Sequence, residues 1–224
     1  FDESAFAVFV ADGEKGFIRV ENIVEGVSEY HNVYLRTSPA NTDILNPAVT
    51  DAFIKETHEE YYARFKEYFG KELVGFFTDE PQYYRWATPY TPVAEAEFAK
   101  TGENVKDGLI WLFKHDERGY AFREKYYETL NRLYVENFYK KIYDWCGAHG
   151  CKLTGHSIEE SALFAQMWGG AAVMPSYEFE DIPAIDWLGR FCGEGLAIKQ
   201  VASVAAQLGK KRILTESFGC SGYD

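Results

Sequence analysis

The chain has 224 residues, 46% hydrophobic and 26% charged, which is ordinary globular composition with enough apolar material for one large core. A formal net charge of −12 and a pI of about 4.9 repel phosphate backbones and exclude nucleic acid as a partner. No stretch reaches the roughly 18 consecutive apolar residues of a membrane span, so a soluble protein is expected, with its compartment left open. Phe1 is not an initiator methionine, and no signal peptide opens the chain. Cys146, Cys151, Cys192 and Cys220 contain no C-x-x-C pair and read as core or incidental thiols.

Residues 1–30 read as a β-hairpin segment, expected to be part of the same barrel as the rest. Ala5 to Val10 is an apolar run, Asp12-Gly13-Glu14-Lys15-Gly16 is a turn, and Phe17 to Ile23 alternates in part. His31 to Thr37 is a candidate strand. Asn46-Pro47 reads as a helix start, with Val49, Phe53, Phe65 and Phe69 on one face and Gly70 as the stop. His58 lies inside this helix and reads as a packing residue. Leu73 to Phe77 is a short, continuously apolar strand of the kind buried on both faces in parallel sheets.

A loop with Pro81, Pro89 and Pro92 follows, then a short helical piece around Val105 to Lys114. The spacing of Phe122, Tyr126, Leu130, Leu133, Phe138, Ile142 and Trp145 predicts a long helix from Tyr120 to Cys146, ended by Gly147 and Gly150. Next come a strand over Cys151–Thr154, a helix from Ser157, a strand over Ala171–Met174, a helix from Ala184 to Leu208 stopped by Gly209, and a strand over Arg212–Thr215.

Strands alternating with glycine-terminated helices give the rhythm of a parallel α/β protein. Open doubly wound sheets share it. The polar residues discriminate. Asp79-Glu80, His156-Ser157, Ser176-Tyr177-Glu178 and Glu216-Ser217 each end a predicted strand, and a (β/α)8 TIM barrel gathers strand ends at one mouth. Neither G-x-G-x-x-G nor a P-loop is present. Residues 31–224 are therefore expected to be a partial catalytic barrel, about strands 3 to 7. The chain would be a piece of a longer parent with other domains.

Two carboxylates carry the chemistry. Glu80 follows a buried strand in Phe76-Phe77-Thr78-Asp79-Glu80-Pro81, and Glu216 follows another in Ile213-Leu214-Thr215-Glu216. A charge at such a place is costly unless it is used or paired; the plain alternative is a solvated turn. Glycosidic cleavage needs two carboxyl groups flanking the bond, one protonating the leaving oxygen and the other acting as base or nucleophile. Glu80 is expected as the catalytic acid and Glu216 as its partner. Asp79, His156, Glu159, Glu160, Tyr177, Asp186 and Trp187 are expected to bind or orient the sugar. The plainer reading of Ser157 with Glu159 and Glu160 is a helix cap with dipole-favouring acids. An aromatic content of 17% suits stacking on sugar faces and equally suits a core.

Asp43-Ile44-Leu45-Asn46-Pro47, Phe53-Ile54-Lys55-Glu56-Thr57-His58-Glu59 and Phe77-Thr78-Asp79-Glu80-Pro81 resemble the barrel of bacterial family 106 glycoside hydrolases, the α-L-rhamnosidases. Gly155-His156 with Glu159-Glu160, Ile185-Asp186 and Leu214-Thr215-Glu216 follow in compatible order. The resemblance implies that Glu80 is the acid of the fourth barrel strand and Glu216 that of the seventh. It also implies an inverting, calcium-using enzyme, whereas the broad clan of retaining barrel glycosidases shares the same placement and mostly needs no metal. The sequence itself requires no cofactor and assigns no metal ligand. Two rival classes stay open: a metal-dependent hydrolase or isomerase barrel built on His156 and nearby acids, and a non-catalytic sugar-binding barrel.

Overall fold

The computed structural model of the chain describes residues 1–37, 42–83, 87–188, 195–217 and 219. The opening apolar run forms β1, Ala7–Asp12, and Gly16, at φ +79°, turns the chain into β2, Gly16–Val20. The two pair antiparallel, with Val8 opposite Val20 and Asp12 opposite Gly16. β3, His31–Val33, is shorter than the strand expected over His31–Thr37. It lies antiparallel on the other edge of β1, giving the order β2-β1-β3, and so does not open the βα series.

Asn46 accepts a hydrogen bond from the Ala48 amide at 3.1 Å, and Pro47 occupies the first position of α1, Pro47–Phe53. The helix continues through a π-turn, Ile54–His58, into α2, Glu59–Phe65, and one 3-10 turn leads to Gly70 at φ +73°. The wider turn ends on His58, which is buried. Its ring stands 4.4 Å from Phe76, 5.2 Å from Phe53 and 5.2 Å from Trp145.

β4, Gly75–Asp79, starts later than its apolar run suggests. It is a sheet edge rather than a strand buried on both faces: Val74 is 51% and Phe77 45% exposed. α3, Pro92–Ala99, is capped by Thr91, whose side chain accepts from the Val93 amide. A 3-10 segment, Val105–Leu112, replaces the short helical piece. The predicted long helix is α4, Tyr120–Tyr134, a second π-turn, Val135–Tyr139, and α5, Lys140–Ala148. Gly150, at φ +72°, then leads into β5, Lys152–His156.

The remaining segments correct the sequence reading. The helix expected from Ser157 begins instead at Leu163, as α6, Leu163–Gly169. Ala171–Met174 is not a strand: Ala171 takes a left-handed φ of +64°, and Pro175 lies in the first turn of α7, Met174–Tyr177. The strand is β6, Ile182–Trp187, where a loop and a helix start were expected. α8, Leu196–Leu208, ends at Gly209 in the left-handed conformation, and β7 is Leu214–Ser217.

β4, β5, β6 and β7 form a parallel sheet in that order, so the chain has an α/β fold with a separate antiparallel sheet. Contacts divide it into two units, Phe1–Asn41 with Tyr90–Thr129, and Thr42–Pro89 with Leu130–Asp224. In the first, Phe9 is fully buried, Phe17 meets Trp111 edge-on at 5.5 Å, and Arg19 Nε bonds Asp107 at 2.6 Å. In the second, Val173, Tyr177, Ile185, Ala197, Val201 and Val204 pack α7 and α8 onto β6. Cys146 and Cys151 are buried free thiols, while Cys192 and Cys220 lie outside the described residues. Among the described residues no helix is long and apolar enough to cross a membrane.

His58 makes the fold sensitive to acid. Burial lowers its pKa from 6.5 to about 4, against a small opposing pull from Glu59. Between those values the unfolded chain binds a proton that the folded chain refuses, so stability falls as the pH falls through this window. From pH 7 to pH 5, urea denaturation should show a loss of about 1–2 kcal/mol that His58→Phe abolishes. An unchanged pH slope in the variant would assign the acid sensitivity to other groups.

Candidate functional site

β4 and β5 approach closely at Thr78 and Gly155, which face each other in register. A Cβ on Gly155 would stand 2.1 Å from Thr78 Oγ1 and 2.4 Å from its carbonyl oxygen, so the position accepts only glycine. The register brings Asp79 beside His156, and the Glu80 amide continues the ladder by donating to the His156 carbonyl at 3.2 Å. Glu80 itself takes a left-handed φ of +46°, a conformation that costs a residue with a side chain about 1–3 kcal/mol. The next residue is anchored too, since the Tyr134 hydroxyl donates to the Pro81 carbonyl.

On the other side of the sheet, β6 and β7 place Asp186 beside Glu216. The two halves meet at His156, which is only 1% exposed. His156 Nε2 lies 2.9 Å from Glu216 Oε2 and 3.5 Å from Asp79 Oδ1. Strands two apart in a flat sheet are separated by about 9–10 Å, so this contact across β6 requires long side chains converging on one face. The Nε2–H tautomer fits it, with Glu216 as acceptor. One ligand atom from each of Asp79, His156 and Glu216 lies within 4.8 Å of the others, and the same holds for Glu80, His156 and Asp186.

Asp186 is the electrostatically unusual acid. Burial, then the Glu216 and Asp79 carboxylates, hold its pKa above the usual carboxylate range, with His156 acting in the opposite sense. Its Oδ1 and His156 Nδ1 are buried without hydrogen-bond partners among the described residues. The site therefore sets a carboxyl with a raised pKa beside an imidazole that is bonded to a second acid.

The remaining predicted residues divide. Trp187 ends β6, opposite Ser217. Glu159 is part-exposed in the turn after β5 with φ +57°. Glu160 and Tyr177 lie behind the strand ends: both are buried, and the Tyr177 hydroxyl donates to Glu160 Oε1 at 2.7 Å. Ser157 caps no helix; its hydroxyl faces that of Tyr139 at 3.3 Å. Sequence reasoning missed Glu180. It is fully buried, burial pushes its carboxyl well above the usual range, and Oε2 accepts from the Ala184 amide at 3.3 Å. Nothing local marks it, since it sits between Phe179 and Asp181 as an ordinary loop acid would.

Gly155→Ala should separate β4 from β5 and cost about 1–3 kcal/mol by overpacking, measured as a lowered urea midpoint. A variant as stable as the wild type would mean that the strands tolerate a wider approach.

No protein-family model matches the chain, and no curated protein sequence does either. Among solved structures it is similar to a rhamnosidase from Novosphingobium sp. PP1Y, with a TM-score of 0.59, 18% identity and 82% of this chain covered. The chain spans 18% of that chain's length. At this identity the similarity is one of fold, shared with part of a larger glycosidase.

Proposed function

We propose that the parallel-sheet unit is the catalytic part of a glycosidase, α-L-rhamnosidase-like, belonging to a longer protein whose further strands complete a (β/α)8 barrel. The observation that carries this reading is the convergence of Asp79, Glu80, Asp186 and Glu216 on His156 at the ends of adjacent parallel strands. The fold similarity to part of a rhamnosidase supports it, as does the exposed apolar edge of β4, which another strand would cover.

In this reading Glu80 is the general acid that protonates the leaving oxygen. Glu216, oriented by His156, is the base for water or the nucleophile. Asp79, His156, Asp186 and Trp187 orient the sugar, and Glu159 borders them. Asp186, whose carboxyl burial holds above the usual range, stands beside Glu216 in this cluster.

Calcium prefers oxygen ligands, and Asp79, Glu80, Asp186 and Glu216 offer them, including the buried unpartnered Asp186 Oδ1. These residues would hold the ion, which would supply charge to fix sugar hydroxyls. Both clusters among the described residues include His156, which adds a nitrogen donor and suits a softer ion. That observation favours a second reading, a metal-dependent hydrolase. Calorimetric titration separates the two: tight zinc or manganese binding lost in His156→Ala supports the second, and calcium binding that survives this change supports the first.

The acid role has a chemical signature. In the parent-length protein, Glu80→Gln should slow cleavage of alkyl α-L-rhamnosides about 10²–10⁴-fold. The same variant should slow the 4-nitrophenyl glycoside much less, because nitrophenolate leaves without a proton. Glu216→Gln should slow both alike. Equal losses for both substrates in Glu80→Gln would contradict the assignment, and undiminished turnover would remove Glu80 from the chemistry.

A further inference from the structure

β5 and β6 are paired in register only at Thr154 with Ile182 and Gly155 with Pro183. Beyond these pairs the strands part, and they do so just before His156 and Asp186. The β6 amides there turn to carboxyl groups: Ala184 donates to Glu180 Oε2, and Asp186 to Glu160 Oε2 at 2.9 Å. The other Glu160 oxygen, Oε1, accepts from the Ser157 amide at 3.2 Å and from the Tyr177 hydroxyl at 2.7 Å. One buried carboxyl thus joins the residue after His156, the backbone of Asp186 and α7. The bond to Ser157 is the reach-back half of a capping box, made here without a helix. Gln166 fixes the Glu160 backbone in turn, donating from Nε2 to its carbonyl at 2.8 Å.

We propose that Glu160 is a positioning residue, which bridges the parted ends of β5 and β6 and thereby sets His156 and Asp186 at the spacing the site needs. The geometry demands an acceptor on each oxygen, because the Ser157 amide faces one and the Asp186 amide the other. Both Glu160 oxygens face donors, and a carboxylate meets all three. Burial holds the Glu160 pKa above the usual carboxylate range, while its hydrogen bonds from Tyr177, Asp186 and Ser157, and nearby His156, act in the opposite sense. Glu160 is 5% exposed, so it is placed to act through its neighbours rather than on a sugar.

Glutamine at this position keeps the shape and replaces one acceptor by a donor. Tyr177→Phe removes only one of the three donors. The inference rests on the glycosidase reading for its kinetic consequence alone; its structural consequence is independent of that reading. The test is nuclear magnetic resonance of the Asp186 amide and the His156 imidazole in the wild type, Glu160→Gln and Tyr177→Phe, with melting curves alongside. Glu160→Gln should shift and broaden both signals while other β-sheet amides hold their positions, and Tyr177→Phe should move them less in the same direction. In the parent-length enzyme, kcat on an alkyl rhamnoside should fall about 10–100-fold with KM unchanged. Signals of Asp186 and His156 that stay in place in both variants overturn the proposal whatever the activity. If Glu160→Gln fails to fold, Tyr177→Phe decides alone. If the wild type cleaves no glycoside but the signals move, the positioning role stands and the glycosidase reading falls.

Discussion

A buried imidazole whose neighbours are carboxylates organises the second unit. His156 has Glu216 and Asp79 around its Nε2, and it reaches the first of these from two strands away. That contact needs three things at once. β4 must lie close to β5, which the missing side chain of Gly155 permits. β5 and β6 must part at their ends, which the Glu160 and Glu180 carboxyls allow by taking the freed amides. β7 must stay in register with β6, so that Glu216 stands beside Asp186. Each condition is met by a different residue type: a glycine, buried acids and an ordinary ladder.

The helices contribute through irregularities rather than length. Both long helical runs contain a π-turn, Ile54–His58 and Val135–Tyr139. Each ends on a buried polar ring. His58 packs among Phe53, Phe76 and Trp145 beneath β4, while Tyr139 brings its hydroxyl to Ser157, next to His156. Inserted residues of this kind re-aim side chains that a regular helix would leave elsewhere. A layer of buried tyrosines, Tyr134, Tyr139 and Tyr177, therefore stands behind the strand ends and fixes their turns.

Much of this was legible from local signals. Asn46-Pro47 and the glycine stops before β5 and β7 act within a few residues of themselves, and the acids at the ends of β4 and β7 are placed by the short apolar runs that they follow. The third parallel strand was not. Ile182-Pro183-Ala184-Ile185-Asp186-Trp187 contains a proline, which argues against an inner strand, yet Pro183 falls where the β5 ladder is ending. Ala171-Ala172-Val173-Met174 has a strand's apolarity, but a left-handed Ala171 and Pro175 send it into a helical turn. β4 has the composition of an inner strand and stands at an edge, because pairing partners lie beyond any local pattern. The sequence singles out Glu160 as a sugar contact or a cap acid with Ser157, but its hold on the Asp186 amide is not legible there; Glu180 is missed although its donor, Ala184, is four residues on. The donors that Glu160 gathers lie as far as 26 residues away, and no periodicity announces them.

The proposed role of the acids around His156 is the cleavage of a glycosidic bond. The most direct measurement is titration of the isotope-labelled protein with a rhamnose-configured iminosugar, a cationic mimic of the oxocarbenium-like transition state. Saturable shifts should centre on His156 and Asp186 and be lost in Glu216→Gln. Shifts confined to residues away from these strand ends, or none at millimolar inhibitor, would contradict that role.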